Sequence, residues 1–260
     1  MRYASKLPDD SVNISPGNPL STALKLSISL ALLAVIGYFL IGAIINIAVD
    51  SITPKQEQKL ASMSSMEMTY SETNSTYLKE VTQRLAACAN LPYDIHVAVM
   101  EDKELNAFAV PGGTIYITSG ILKKMQSENE LAFIIGHELG HFKHRDHLRA
   151  LGSRIVLGAI GLMLGSDYGV ASSMTLNISS AKYSQSAELT ADAFGLEVMN
   201  CAYGSVTDAT KMFTKMDEGK EWRYFIATHP GFKERISAMK ALIRTKGYDT
   251  TARVVPLGTF

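Results

Sequence analysis

His137-Glu138-Leu139-Gly140-His141 puts two imidazoles and a carboxylate within about one helical turn, and that spacing decides how the rest of the chain is read. On a helix, residues i and i+4 share a face, so both imidazoles can reach one Zn²⁺ at roughly 2.0 to 2.1 Å. Glu138 projects about 100° round the helix from His137, beside the metal rather than on it. There it can take a proton from a water whose pKa zinc lowers to roughly 7. A helix that merely exposes two histidines is the plainer alternative. Against it stands Ser127-Glu128-Asn129-Glu130, with capping-box spacing between Ser127 and Glu130, followed by the apolar run Leu131 to Ile135 that buries the helix. Two His and a Glu on a buried helix need partners or a metal.

Catalytic zinc usually takes three protein ligands and keeps a fourth position open, so a third must be found. His147 lies ten residues after His137, where metzincins carry their third His. That pattern needs a Gly for a sharp turn, and His144 stands in its place. On a continuing helix His147 would lie roughly 280° round from His137, facing away. The other candidate is Glu188, in Tyr183-Ser184-Gln185-Ser186-Ala187-Glu188-Leu189-Thr190-Ala191-Asp192. Glu188 and Asp192 are i and i+4 on an expected helix, and two carboxylates on one partly buried face need something positive between them. A metal supplies it, with Glu188 as ligand and Asp192 holding a ligand imidazole from behind. Taken alone, the pair could equally be a solvated Glu and Asp.

The chain has 260 residues and zero formal net charge, room for one catalytic domain and an anchor, and nothing basic enough for a nucleic-acid partner. The uncharged run Leu26 to Val49 is long enough to span roughly 30 Å of hydrocarbon. It is expected to be a single transmembrane helix over 26–49, after an N-terminal cytoplasmic segment 1–25 and before a catalytic domain 50–260. A cleaved signal peptide is the alternative, but its apolar core would run roughly 7 to 15 residues, and Ala48-Val49-Asp50 makes a poor cleavage site. Arg2, Lys6 and Lys25 precede the span while Lys55 and Lys59 follow it, a mild positive-inside bias that puts the catalytic domain on the far side. In a bacterium that is the inner membrane with a periplasmic domain. Cys88 and Cys201 are the only cysteines; they can pair in an oxidising compartment or remain two buried thiols. Sequons at Asn13, Asn74 and Asn177 identify no compartment.

Residues 54 to 90 read as mostly helix, opened by Pro54. Alternation predicts strands over 94–99, 108–110 and 114–118, the last two joined by Pro111-Gly112-Gly113. Further helices are expected near 147–165, 184–200, 205–217 and 232–246. Small sheet plus packed helices makes an α+β domain, mostly helical. Ile155 to Gly165 is apolar but too short to span a bilayer, and reads as a buried or cleft-covering helix. The strand Thr114 to Thr118, with Ile115, Tyr116 and Ile117, and Asn106 ahead of it, is expected to bind extended substrate by edge pairing; its plainer role is core sheet. His144 shares a face with His137 at the cleft rim, and His96 reads as structural.

The ordered segments Asn106-Ala107-Phe108-Ala109-Val110-Pro111-Gly112-Gly113, the zinc motif with Arg145-Asp146, Glu188 with Asp192, and Thr228-His229-Pro230 with Arg235 together resemble the zinc metallopeptidase family that includes HtpX, BepA and the type I CaaX prenyl endopeptidases. The resemblance covers roughly residues 70 to 245 and implies a gluzincin-like zincin fold. It implies one Zn²⁺ held by His137, His141 and Glu188, with Glu138 as general base. It further implies that His229 steadies the oxyanion and that Arg235 partners the site carboxylates. The family often carries two prolines after that His; Gly231 departs from the pattern. The implied activity is a membrane-anchored endopeptidase acting on protein or peptide substrates in envelope quality control, by metal-activated water. A proteolytically silent, chaperone-like zinc scaffold is the rival reading, and it has no need of Glu138.

Overall fold

A computed structural model describes residues 18–63, 71–72, 75–92, 94–163, 183–217 and 222–259, and the side chains of most of them. By its contacts the chain divides into two units, Met1–Asn46 and Ile47–Phe260. The first is helix α1, Pro19–Ser51, whose last residues belong to the second unit. Its leucines, most of its isoleucines and Phe39 lie bare along its length, and among the described residues it is the one helix long and apolar enough to cross a membrane. The sequons at Asn13, Asn74 and Asn177 lie outside the described residues.

The second unit is an α+β domain, mostly helical. After α2 (Pro54–Met63) come β1 (Ser71–Glu72), α3 (Thr76–Ala89), β2 (His96–Met100), β3 (Ala107–Val110), β4 (Thr114–Thr118) and the short α4 (Ser119–Leu122). Helices α5 (Glu128–Lys143), α6 (Asp146–Met163), α7 (Gln185–Tyr203), α8 (Lys211–Asp217), α9 (Arg223–Thr228) and α10 (Phe232–Lys246) complete it. The expected helical stretch 54–90 is interrupted by β1, which pairs antiparallel with Ala98 and Val99. The helix expected over 205–217 begins only at Lys211, because Ser205 Oγ accepts from Thr207 N–H and Asp208 takes φ 65°, a left-handed turn.

The sheet runs β1-β2-β4-β3, with β4 parallel to β2 and antiparallel to β3. β4 is therefore an interior strand with both edges already hydrogen-bonded, and the expectation that Ile115, Tyr116 and Ile117 pair with substrate is corrected. Ile115 and Ile117 are fully buried, and Tyr116 stacks on Phe108 at 5.5 Å. Among the described residues the edge strand on this side is β3. Its turn into β4 needs Gly112 and Gly113, at φ 94° and 91°, where a side chain would be strained.

α5 and α7 form the centre of the packing, against α3 and the sheet. Their backbones touch: a Cβ at Gly140 would meet the Ala191 Cα at 2.7 Å, and one at Gly136 would meet the Gly195 carbonyl oxygen at 3.1 Å. Ser127 caps α5 by accepting from Glu130 N–H, and the Glu130 carboxylate accepts from Gln126 N–H. Cys88 and Cys201 form a disulfide joining α3 to α7; Cys201 is exposed and Cys88 half-buried, so the alternative of two buried thiols does not hold. Ile155 is 47% exposed, so the apolar stretch does not start as a buried helix; its side chains beyond 156 lie outside the described residues.

Candidate active site

The close crossing of α5 and α7 is what assembles the site. Glycine at 140, inside the motif, lets the Ala191 backbone sit against α5, which brings Glu188 and Asp192 opposite His137 and His141. The donor atoms of His137, His141, Glu188 and His229 all lie within 4.8 Å of one another, and all four residues are buried. His137 Nε2 is 3.1 Å from His141 Nε2 and 3.5 Å from Glu188 Oε2; His141 Nε2 is 3.4 Å from Glu188 Oε1. Tetrahedral ligands at roughly 2.0 to 2.1 Å from zinc stand about 3.3 Å apart, so this N₂O donor set fits the ion without rearrangement. His229 Nδ1, 3.4 Å from His137 Nε2 and 3.1 Å from Glu188 Oε1, borders the same point from the end of α9.

Each donor of the cluster is held from behind. His137 Nδ1 contacts Asp192 Oδ1 at 2.9 Å, though the N–H is off line, and His141 Nδ1 is 3.0 Å from Asp146 Oδ2. Arg235, fully buried on α10, donates to both Asp192 oxygens at 2.7 Å and reaches Glu188 Oε2 at 2.5 Å, with its guanidinium over the Phe213 ring. Burial would push the Glu188 and Asp192 carboxyls up, but His229, His141 and Arg235 outweigh it and hold both below the usual range. Burial takes His137 down to about 4, against the pull of Asp192 and Glu188, so its ring is neutral and ready to ligate. His141 goes the other way, to about 10, because Asp146 and Glu188 outweigh burial.

Glu138 is fully buried, and neither of its oxygens accepts a well-formed hydrogen bond, although the Ala109 amide of β3 lies close enough to oppose the upward push of burial on its pKa. An orphaned carboxylate beside a metal-sized donor set is a costly arrangement that a bound water would relieve.

The site residues read from the sequence converge here: His137, His141, Glu188, Glu138, Asp192, His229 and Arg235. His147 does not. It is buried, but its Nε2 donates to Glu57 Oε1 at 2.8 Å, away from the donor set. Two residues the sequence reading left without a role belong to the site. Asp146 follows the motif directly, and Tyr183, stacked on His141 at 3.8 Å between ring centres, stood in the same quoted segment as Glu188. Burial, with Glu138 and Glu188 nearby, holds the Tyr183 phenol protonated. Asn106 is 1% exposed at the mouth of β3, its main chain bonded both ways to Thr118.

Fold and donor set together define a zincin-type metallopeptidase. Residues 72–243 match Peptidase family M48, and the chain belongs to that family; the metal its donor set takes is zinc. It is 31% identical to the mitochondrial metalloendopeptidase OMA1 of Schizosaccharomyces pombe, over 62% of this chain and 50% of that protein. It is 28% identical to a putative beta-barrel assembly-enhancing protease of Vibrio cholerae, over 62% of this chain and 37% of that protein. To the metalloprotease LoiP of Escherichia coli it is 26% identical over 76% of this chain and 84% of LoiP. The chain thus spans half or less of the first two relatives.

Proposed function

We propose that this chain is a membrane-anchored zinc endopeptidase that hydrolyses peptide bonds of unfolded or misassembled envelope proteins. The observation that carries the reading is the buried Glu138 carboxylate, without a good hydrogen bond, beside the His137, His141 and Glu188 donors. Zinc, when bound, supplies the Lewis acidity that makes a water nucleophilic near neutral pH and polarises the scissile carbonyl. Glu138 takes the proton of the attacking water and passes it to the leaving nitrogen; burial, which raises its pKa, suits it to both transfers. His229, at the donor set, steadies the charge that develops on the carbonyl oxygen. Asp192 and Asp146 hold the two ligand rings, and Arg235 balances the charge of Glu188 and Asp192.

The substrate backbone lies along the free edge of β3, from Asn106 and Ala107 to Val110, where Ala109 adjoins Glu138. Strand addition reads main chain more than side chain, as a quality-control protease needs. The relatives named for beta-barrel assembly support an envelope setting. The Cys88–Cys201 disulfide supports an oxidising compartment, hence a periplasmic catalytic domain with residues 1–25 in the cytoplasm.

Glu138→Gln tests the chemistry: the full chain should keep zinc and lose casein cleavage by at least about 10²-fold. Cleavage at the parent rate would refute the mechanism. Protease access to the domain in intact spheroplasts tests the side of the membrane, with protection arguing for the cytoplasm.

A further inference from the structure

Among the described side chains of helix α2, the first element beyond the membrane helix, the one that is buried carries a charge. Glu57 is fully buried, while its described neighbours from Lys55 to Leu60 are exposed. A surface helix normally docks through its apolar stripe, and an ion taken out of water costs several kcal/mol unless partners compensate. Here the partners come from two separate walls of the site. Glu57 Oε1 accepts from Gly112 N–H at 3.2 Å, in the β3–β4 turn, and from His147 Nε2 at 2.8 Å, at the start of α6. Arg145 approaches Oε2 at 3.7 Å.

Both lines continue inward. Gly112 lies three residues from Ala109, the edge-strand residue beside Glu138. His147 follows Asp146, whose carboxylate holds the ligand His141. Between them Arg145, at φ 57° in the left-handed region, turns its guanidinium back onto the end of α1, donating to Val49 O at 2.8 Å and to Ile52 O. Val49 O also accepts from Ile52 N–H at 3.2 Å, and a cation at a helix C-terminus is favourable. The α5–α6 turn therefore joins the exit of the membrane helix to the residue behind a zinc ligand.

We propose that Glu57 is a positioning residue for peptide hydrolysis, fixing the edge strand β3 against the zinc helix from the juxtamembrane segment. This rests on the peptidase reading above. Glu57 touches neither substrate nor metal; it acts through Gly112 and His147, so that the substrate carbonyl laid along β3 arrives in register with Glu138. Burial pushes the Glu57 carboxyl up, but His147, Gly112 and Arg145 outweigh it, and the group stays ionised in its pocket.

The test uses the full chain in detergent with a fluorogenic casein substrate, comparing parent, Glu138→Gln, Glu57→Gln and Glu57→Ala for kcat, KM and bound zinc. Parent cleavage that Glu138→Gln abolishes establishes the peptidase reading independently. Glu57→Ala should then lower kcat by about tenfold or more while keeping its zinc, with KM changed less than about threefold. Glu57→Gln, which keeps the shape and one acceptor, should recover part of the loss. If both variants hold kcat within about threefold of the parent, or if Glu57→Gln loses zinc, the positioning role is wrong. Should Glu57→Ala fail to fold, Glu57→Gln decides alone, and a kcat indistinguishable from the parent overturns the role.

Discussion

Asp192 is shared by two partners: His137 Nδ1 at 2.9 Å and Arg235, which grips both carboxylate oxygens at 2.7 Å. The guanidinium keeps the carboxylate ionised and aimed, so the ring it faces presents Nε2 to the metal. Asp192→Ala should weaken zinc binding by roughly 10- to 100-fold, read by competition with a chromogenic chelator. An unchanged affinity would mean that Asp192 serves only to neutralise Arg235.

Gly140 is the motif residue with no functional group, yet the site depends on it. A Cβ there would fall 2.7 Å from the Ala191 Cα and 2.9 Å from its carbonyl oxygen, both backbone atoms that cannot swing aside. Gly140→Ala should therefore push α7 off α5 and carry Glu188 away from His141. Zinc content and casein cleavage should both fall, with a lower melting temperature of about the 1–3 kcal/mol cost of overpacking. A variant that binds zinc and cleaves like the parent would show that α7 can shift without disturbing Glu188.

The donor cluster was legible because metal chemistry constrains sequence locally: His137 and His141, like Glu188 and Asp192, are one helical turn apart and need no knowledge of the fold. Rejecting His147 was legible for the same reason, although α5 stops at Lys143 rather than running on. What depended on long-range pairing was not. Thr114 to Thr118 alternates like an edge strand, and only the placement of β2 and β3 on either side makes it interior. Glu57 sits in a polar stretch that reads as solvated; the partners that bury it are 55 and 90 residues away. Tyr183 likewise becomes a site residue only once α7 is packed on α5.

Cys88 and Cys201 close a loop of 113 residues between α3 and α7, and α7 carries Glu188 and Asp192. Closing so long a loop restricts the unfolded chain, worth about 5 kcal/mol in the chain-entropy view. Cys201→Ser should lower thermal stability accordingly while leaving zinc stoichiometry intact at 25 °C. A melting temperature equal to that of the oxidised parent would argue that the bridge adds nothing to the fold.

Glu57 also gives a pH signature separable from catalysis. Its carboxyl is held below the ordinary 4.5: burial opposes this, but the hydrogen bond and charge of His147, the Gly112 amide and Arg145 prevail. A carboxyl whose folded pKa lies below its unfolded value stabilises the fold above the unfolded value and loses that contribution as pH falls through the folded one. The stability difference between the parent and Glu57→Gln should accordingly be full at pH 7 and shrink below about pH 4.5, the parent losing more on acidification than the variant. Melting temperatures of the detergent-solubilised chains at pH 7 and at about pH 3.5 measure it, since the other carboxyls titrate alike in both. A difference that stays constant across this interval would mean that Glu57 is not ionised in its pocket, and that Gly112 and His147 are held by a neutral acid.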